Sequence, residues 1–422
     1  MERTADKRPH VAVLDEELPW PLDSGKRLRT WHLLIRLARR FRITYLAHRH
    51  DASADAERAL RHAGIRTVVV DRSIPSKKGI GFAVRLARNL FSSLPYSVAT
   101  HHSAELTAAV RDLARRDPPA LWHCEWTPYA EYMRTPPGDA PWLVMAHNVE
   151  SLIWQRYVVT SGRGPKRWYI GMQQRKFERF ERWAYSSCDR AIAVSDEDAA
   201  IMRSRFGGHA VDVVDNGVDT AMIVPDSSIA RDPFRILFLG SLDWRPNIDG
   251  AERLLRDIFP QVLQREPRAT LQLVGRNPSD ALRRLAASPS VQLHANVPDV
   301  RPYLANAGIL AVPLRVGGGS RLKILEALAA GLPVLTSHIG VEGLHLDAET
   351  HVTIADTVEE QVNRLLDMMH NPAAALEQAT RGRARVLERY DWSGLAERLG
   401  DLWGATIVPD GSRKNQTAAC LV

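Results

Sequence analysis

Three consecutive glycines, Gly317-Gly318-Gly319, follow the apolar run 308–314 and lead into Ser320-Arg321-Leu322-Lys323-Ile324-Leu325-Glu326-Ala327. A strand that ends in side-chain-free backbone and passes through an N-cap serine into an alanine- and leucine-rich helix builds an anion site. Phosphate oxygens approach bare backbone closely, and the amides of the first helical turn point toward them with the macrodipole behind. Arg321 and Lys323 add positive charge at the same end, which is unfavourable for the helix dipole and calls for a compensating anion such as a diphosphate. Glu326 lies three residues beyond Lys323, placed either to pair with it or to accept hydrogen bonds from a ribose diol. The plainer reading is a tight turn with two solvated cations.

A second glycine-containing turn, Asp23-Ser24-Gly25-Lys26-Arg27, follows the first apolar run and opens a helix, which makes Gly25, Lys26 and Arg27 a second candidate anion contact or an ordinary capped turn. His147-Asn148-Val149-Glu150 follows the run 142–146, and His123 and Glu125 end the run before it. Histidines in such places serve proton chemistry or simply cap and pair. Asp196-Glu197-Asp198 carries a metal-binding spacing but reads more simply as an acidic first helical turn, and no metal is expected. Paired carboxylates flanking a glycosidic bond, as glycosidases need, are not evident.

The elements that must hold these residues alternate. Strand-like runs at 11–14, 43–47, 67–71, 121–124, 142–146 and 191–195 are separated by helical patterns such as 26–39 and 104–115. A second series has strands at 235–239, 270–274, 291–294, 309–314 and 334–337, with helices at 248–265, 280–287, 321–330 and 358–369. Alternation of this kind predicts parallel sheets in two doubly wound α/β domains, with ligands at the carboxyl ends of the strands and a cleft between the domains. The turn-rich stretch from Val214 to Pro233 reads as the hinge.

The chain has 422 residues, enough for two sizeable cores, and its net charge of +7 is uneven. Residues 1–200 hold 32 Lys/Arg against 23 Asp/Glu, and the remainder 24 against 26, so the positive potential belongs to the first half. Segment 153–185 interleaves basic residues with Trp154, Trp168, Tyr169 and Trp183, a chemistry that suits an anionic membrane surface or a partly solvated helix. Nucleic acid is not an expected partner, since no nucleic-acid module signature accompanies it. Cys124, Cys188 and Cys420 form no disulfide or zinc pattern. The amino-terminal stretch lacks the apolar core of a secretory signal, and no run is long enough to span a bilayer, which together predict a cytoplasmic protein.

The runs ILFLGSLDWRPNIDGAERLL (236–255), LQLVGRNP (271–278), VQLHANVPDVRPYLANAGILAVPL (291–314) and GGGSRLKILEALAAGLPVLTSHIGVEGL (317–344) together resemble the donor-binding domain of glycosyltransferase family 4. VDVVDNGVDTAMIVP (211–225) resembles that family's hinge, with Asp215 in place of its proline, and PLDSGKRLR, AHNVE and RAIAVSDED fit its first domain. The resemblance implies a GT-B architecture of two Rossmann-like domains facing a cleft. Residues 1–215 would bind the acceptor, 216–390 the nucleotide-sugar, 391–408 would form a helix crossing back to the first domain, and 409–422 a flexible tail. It further implies retaining transfer of a sugar from a nucleotide-sugar to a saccharide or lipid-linked acceptor, such as cell-surface polysaccharide or glycolipid. The donor is a co-substrate, and no cofactor is expected.

Carried over residue by residue, Glu326 matches the ribose-contacting glutamate of the Glu-x7-Glu pattern, and His147 the histidine near the reacting carbon. Gly25, Gly240, Ser241, Asn247, Gly317, Gly318, Gly319 and Ser320 join Glu326 on the donor side. Lys26, Arg27, His123 and Glu125 fall on the acceptor side. Two departures stand out: Gly318 occupies the place of the first glutamate, and Ser241 and Asn247 replace the usual basic pair. Arg321 and Lys323 are therefore expected to carry the diphosphate charge and stabilise the leaving group. The missing carboxylate also leaves room for a catalytically silent sugar-nucleotide-binding protein, and the fold for a nucleotide-sugar epimerase.

Overall fold

A computed structural model of the chain describes residues 6–22, 24–76, 78–160, 162–315 and 322–408. Two compact units divide it: residues 1–215 together with 395–422, and residues 216–394.

Unit 1 is a seven-stranded parallel sheet of β1 (His10–Leu14), β2 (Arg42–His48), β3 (Arg66–Val70), β4 (Leu121–Cys124), β5 (Trp142–Met145), β6 (Arg190–Ala193) and β7 (Val211–Val213), in the order β3-β2-β1-β4-β5-β6-β7. Every residue of β1, β4, β5 and β6 is buried, because helices cover both faces and a strand shielded on both sides reads as a continuous apolar run. Unit 2 repeats the plan with six parallel strands: β8 (Asp232–Leu239), β9 (Thr270–Gly275), β10 (Val291–Ala295), β11 (Ala307–Val312), β12 (Val334–Thr336) and β13 (Thr353–Ile354). Their order is β10-β9-β8-β11-β12-β13. In each sheet the strand order reverses once, between β1 and β4 and between β8 and β11, and in open parallel sheets the crevice at that reversal is where ligands bind.

Several elements differ from their sequence expectation for identifiable reasons. The single helix expected over 248–265 is Arg245–Arg253, a π-helical turn Leu254–Ile258 and Phe259–Arg265. Pro260 supplies no amide to the preceding turn and its ring crowds the carbonyl there, so the helix widens by one residue before continuing. The edge strands β7 and β13, three and two residues long, are too short to show a periodic signal. Asp196, Glu197 and Asp198 form the first turn of the helix Asp196–Phe206, whose N-cap Ser195 accepts from the amide of Asp198. Cys124 and Cys188 are buried free thiols, and Cys420 lies outside the described residues, as does the expected tail 409–422. The helix Trp392–Ile407 places buried Leu395, Leu399 and Trp403 one turn apart, and from Leu395 onward it belongs to unit 1. There Trp403 meets Phe41 edge-on at 5.1 Å. Among the described residues no helix is long and apolar enough to cross a membrane.

Candidate functional site

Of the candidates on the glycine-rich turn, Gly317, Gly318, Gly319, Ser320 and Arg321 lie outside the described residues. The helix beyond them, Leu322–Ala329, is described, and with it Lys323 and Glu326. Lys323 Nζ donates to Oδ1 of Asn247 at 2.6 Å, and Nδ2 of Asn247 donates to the carbonyl of Ser241 at 3.0 Å. Gly240 completes the cluster at the carboxyl end of β8. A Cβ there would stand 2.8 Å from both Asn247 Cγ and Lys323 Nζ, so only glycine leaves room for the two polar groups beside the backbone. Lys323 Nζ also lies 5.1 Å from the centre of the Phe238 ring, which holds the ammonium over an aromatic face. Burial pushes the Glu326 carboxyl above its ordinary value and the Lys323 charge works against that.

Gly240, Ser241, Asn247 and Lys323, four of the residues expected on the donor side, thus gather where the β8–β11 reversal lies, and Glu326 follows Lys323 on the same helix. The sequence reading missed Arg276, directly after β9, whose Nη2 donates to Ser241 Oγ at 3.2 Å. The signal was present as an arginine immediately after a strand end in the run LQLVGR, beside a serine standing where an arginine is usual. Gly275 before it is fixed by packing, since a Cβ would fall 1.8 Å from the Gly240 carbonyl oxygen.

Unit 1 carries its own polar assembly at the carboxyl ends of β1, β4 and β5, again at the strand-order reversal. Glu125 follows β4 and is 2% exposed. Its Oε1 accepts from the Thr30 hydroxyl at 2.7 Å and lies 3.3 Å from His147 Nε2, while its Oε2 lies 2.6 Å from His123 Nε2. Neither imidazole nitrogen is aligned for a hydrogen bond, so these two contacts are charge–dipole approaches. Burial acts to raise the Glu125 carboxyl, yet the two imidazoles beside it hold it well below the usual carboxylate range. Trp403 Nε1–H donates to His123 Nδ1 at 3.0 Å. An indole nitrogen only donates, so Nδ1 must be the acceptor and the ring proton sits on Nε2, facing the carboxylate. Arg29, fully buried beneath this group, donates to the carbonyls of Val214 and Asp215, and burial pulls its guanidinium down to about 10 while Glu125 and Asp215 hold it up.

The turn around Gly25 is a capped helix start, with Ser24 Oγ accepting from the Arg27 amide. Its two cations are matched by acids: Lys26 Nζ donates to Asp15 Oδ1 at 2.6 Å and to Glu16 Oε1 at 2.8 Å, and Arg27 Nε to Glu17 Oε1 at 2.7 Å. The carboxylates of Asp15-Glu16-Glu17 were the partners that spacing alone did not reveal. Residues His147, Gly25, Lys26, Arg27, His123 and Glu125 belong to unit 1, and the donor-side group to unit 2. Among the described residues no cluster of three or more His, Cys, Asp or Glu has a metal-holding arrangement.

The family model "Glycosyltransferase Family 4" matches residues 25–222, and "Glycosyl transferases group 1" matches residues 233–371. The chain is 28% identical over 225 residues to a GDP-mannose-dependent monoacylated alpha-(1-6)-phosphatidylinositol monomannoside mannosyltransferase of Corynebacterium glutamicum, covering 47% of this chain and 58% of that protein. It therefore spans less than two thirds of the length of this curated relative. Among solved structures, sucrose-phosphate synthase from Thermosynechococcus elongatus superposes with a TM-score of 0.67 at 18% identity, covering 94% of this chain and 98% of that one. Anabaena HepE, in complex with UDP and glucose, superposes at 0.66 and 14% identity, covering 94% and 100%. At these identities the two structures establish the fold. With the family 4 model and the group 1 glycosyl transferase model matched in succession, and with two doubly wound parallel sheets beneath them, the chain belongs to the family 4 glycosyltransferases of the GT-B fold.

Proposed function

We propose that this chain is a retaining, metal-independent glycosyltransferase of the cytoplasm that moves a sugar from a nucleotide-diphosphate sugar to a cell-surface polysaccharide or glycolipid acceptor. The observation that carries the reading is the convergence of Lys323, Asn247 and the Gly240-Ser241 backbone at the strand-order reversal of unit 2, with the Glu326 carboxyl one turn along the same helix. A preorganised ammonium beside bare backbone stabilises a diphosphate as its charge develops, which is the larger share of what transfer from a nucleotide-sugar requires. Lys323 would hold the leaving diphosphate, Arg321 would add a second charge, and Glu326 would bind the ribose. In unit 1 Glu125 would position His147 for its part in transfer, with Lys26, Arg27 and His123 on the acceptor side. A lipid or saccharide acceptor is supported by the corynebacterial relative, whose name specifies a mannolipid, and the nucleotide-sugar donor by that name and by the UDP in the HepE structure.

The test is thermal stabilisation by UDP, GDP, ADP, CMP and dTDP. At one hundred times its dissociation constant a nucleotide adds about 2.7 kcal/mol. One diphosphate is expected to raise Tm, and Lys323→Ala and Glu326→Ala to abolish the rise; no response to any nucleotide would remove the donor assignment. Transfer unaffected by EDTA, with the product's anomeric configuration matching the donor's by NMR, checks the other two terms. Gly318, where the family pattern has a glutamate, favours a second reading as a silent sugar-nucleotide-binding protein. Nucleotide binding without transfer or hydrolysis of any matching donor would select it.

A further inference from the structure

The helix Gly79–Leu90 of unit 1 is inside out. Its inward contacts are made by Phe82, Arg85 and Asn89, spaced three and four residues apart on one face. The Phe82 ring meets Tyr96 edge-on at 5.8 Å, Arg85 Nε donates to the Tyr96 hydroxyl at 3.3 Å, and Asn89 accepts from Gln173 Nε2 at 2.8 Å and from Lys176 Nζ at 2.6 Å. The opposite face carries Ile80, Val84, Ala87 and Phe91, and all four are exposed, Ile80 at 85% and Phe91 at 93%. A surface helix ordinarily turns such a stripe inward. Here Phe82, Arg85 and Asn89 hold the helix to the domain, and Ile80, Val84, Ala87 and Phe91 face out.

The chain segments around this helix are basic in sequence. Residues 72–104 contain five Lys/Arg and no Asp or Glu. Residues 151–177, which include the part of the neighbouring helix Pro165–Ser187 that holds Asn89, contain six Lys/Arg and again no acid. That second segment also exposes Val159 and Trp168. Outward apolar residues flanked by cations, with an aromatic nearby, are what a helix needs to lie in the headgroup layer of an anionic membrane.

We infer that the helix Gly79–Leu90, with Phe91 at its end, docks this protein on an anionic phospholipid surface. The apolar stripe enters the acyl boundary while Lys78, Arg88 and the exposed Arg163, Lys166, Arg167 and Arg175 meet lipid phosphates. The inference rests on the proposed glycosyltransferase reading only for its purpose, the reaching of a lipid-linked acceptor, and its test uses neither donor nor acceptor.

The experiment is vesicle flotation of the full chain with phosphatidylcholine alone and with phosphatidylcholine containing phosphatidylglycerol, at low and high salt. The wild type is expected to float with the anionic vesicles only, less at high salt. Ile80→Ser/Val84→Ser/Phe91→Ser is expected to lose that binding at least tenfold, and Lys78→Glu/Arg88→Glu to weaken it severalfold. All five positions are exposed, so circular dichroism and Tm should stay at wild-type values. No flotation at low salt, equal flotation with both vesicle types, or full binding by the triple variant would overturn the inference. So would concentration-dependent self-association that the triple variant abolishes, because the stripe would then be an interface between copies of the chain.

Discussion

Trp403, His123, Glu125 and Thr30 form a chain of polar contacts inside unit 1 in which each partner restricts the next. The indole fixes the His123 tautomer, the imidazole sits against the carboxylate, and the carboxylate accepts from the Thr30 hydroxyl and faces His147. Trp403→Phe removes the donor while keeping most of the ring volume, and is expected to cost about 1 kcal/mol in denaturation measurements, whereas Trp403→Ala should cost roughly 3–5 kcal/mol. Glu125→Gln removes the charge beside His147 without emptying the site. Under the proposed function it lowers kcat while leaving nucleotide stabilisation at the wild-type level, because the donor-side residues lie in unit 2. Loss of nucleotide binding in that variant would contradict the assignment. His147, His123 and Glu125 were legible in the sequence because they follow apolar runs, but Trp403 was not, since it lies 280 residues from His123.

At the scale of elements, the two strand ends that build the donor side hold each other in place through glycine. Gly275 closes β9 with its Cα against the Gly240 carbonyl, and Gly275→Ala would place a methyl 1.8 Å from that oxygen, where backbone rather than a flexible side chain must move. It is expected to destabilise by about 1–3 kcal/mol and to impair nucleotide binding together with it. The helix Glu150–Thr160 depends on a different device. The buried Glu181 carboxylate of the helix Pro165–Ser187 accepts from the amides of Glu150 and Ser151 at its start. Burial nonetheless dominates and raises the Glu181 carboxyl to about 8, with Glu150 adding to the rise against these hydrogen bonds. A carboxyl raised in the folded state binds a proton that the unfolded chain has released. Its contribution is therefore complete below the ordinary glutamate range near 4.5 and is lost as pH rises through about 8. Glu181→Gln should flatten that decline, measured as Tm against pH between these limits, by an amount on the order of 5 kcal/mol at most. Helical patterning showed these helices as a basic, aromatic stretch, and the buried acid that caps one of them was invisible because it is 31 residues away.

At the scale of the molecule, the carboxyl-terminal helix belongs to a unit that begins the chain. Leu395, Leu399 and Trp403 are buried in unit 1, Arg190 Nε donates to Thr406 Oγ1 at 2.9 Å, and a Cβ at Gly400 would stand 2.9 Å from Leu37, so the helix is fitted closely to the first domain. A chain ending at Gly394 is expected to melt unit 1 first, with a lower transition several degrees below the wild type, while nucleotide still shifts the transition of unit 2. Calorimetry checks this, and a single unchanged transition would contradict it. The two alternating series, the longer strands and the family were all legible in local sequence. A strand buried on both faces writes its requirement into consecutive residues. Tertiary structure alone decided which cations are already matched by acids, as Lys26 and Arg27 are by Asp15, Glu16 and Glu17. It also decided that Arg276 joins Ser241, and that the apolar stripe of Gly79–Leu90 faces outward. A sequence pattern shows that a helix has two faces. Only the packing of its neighbours selects the one that water, lipid or a partner meets.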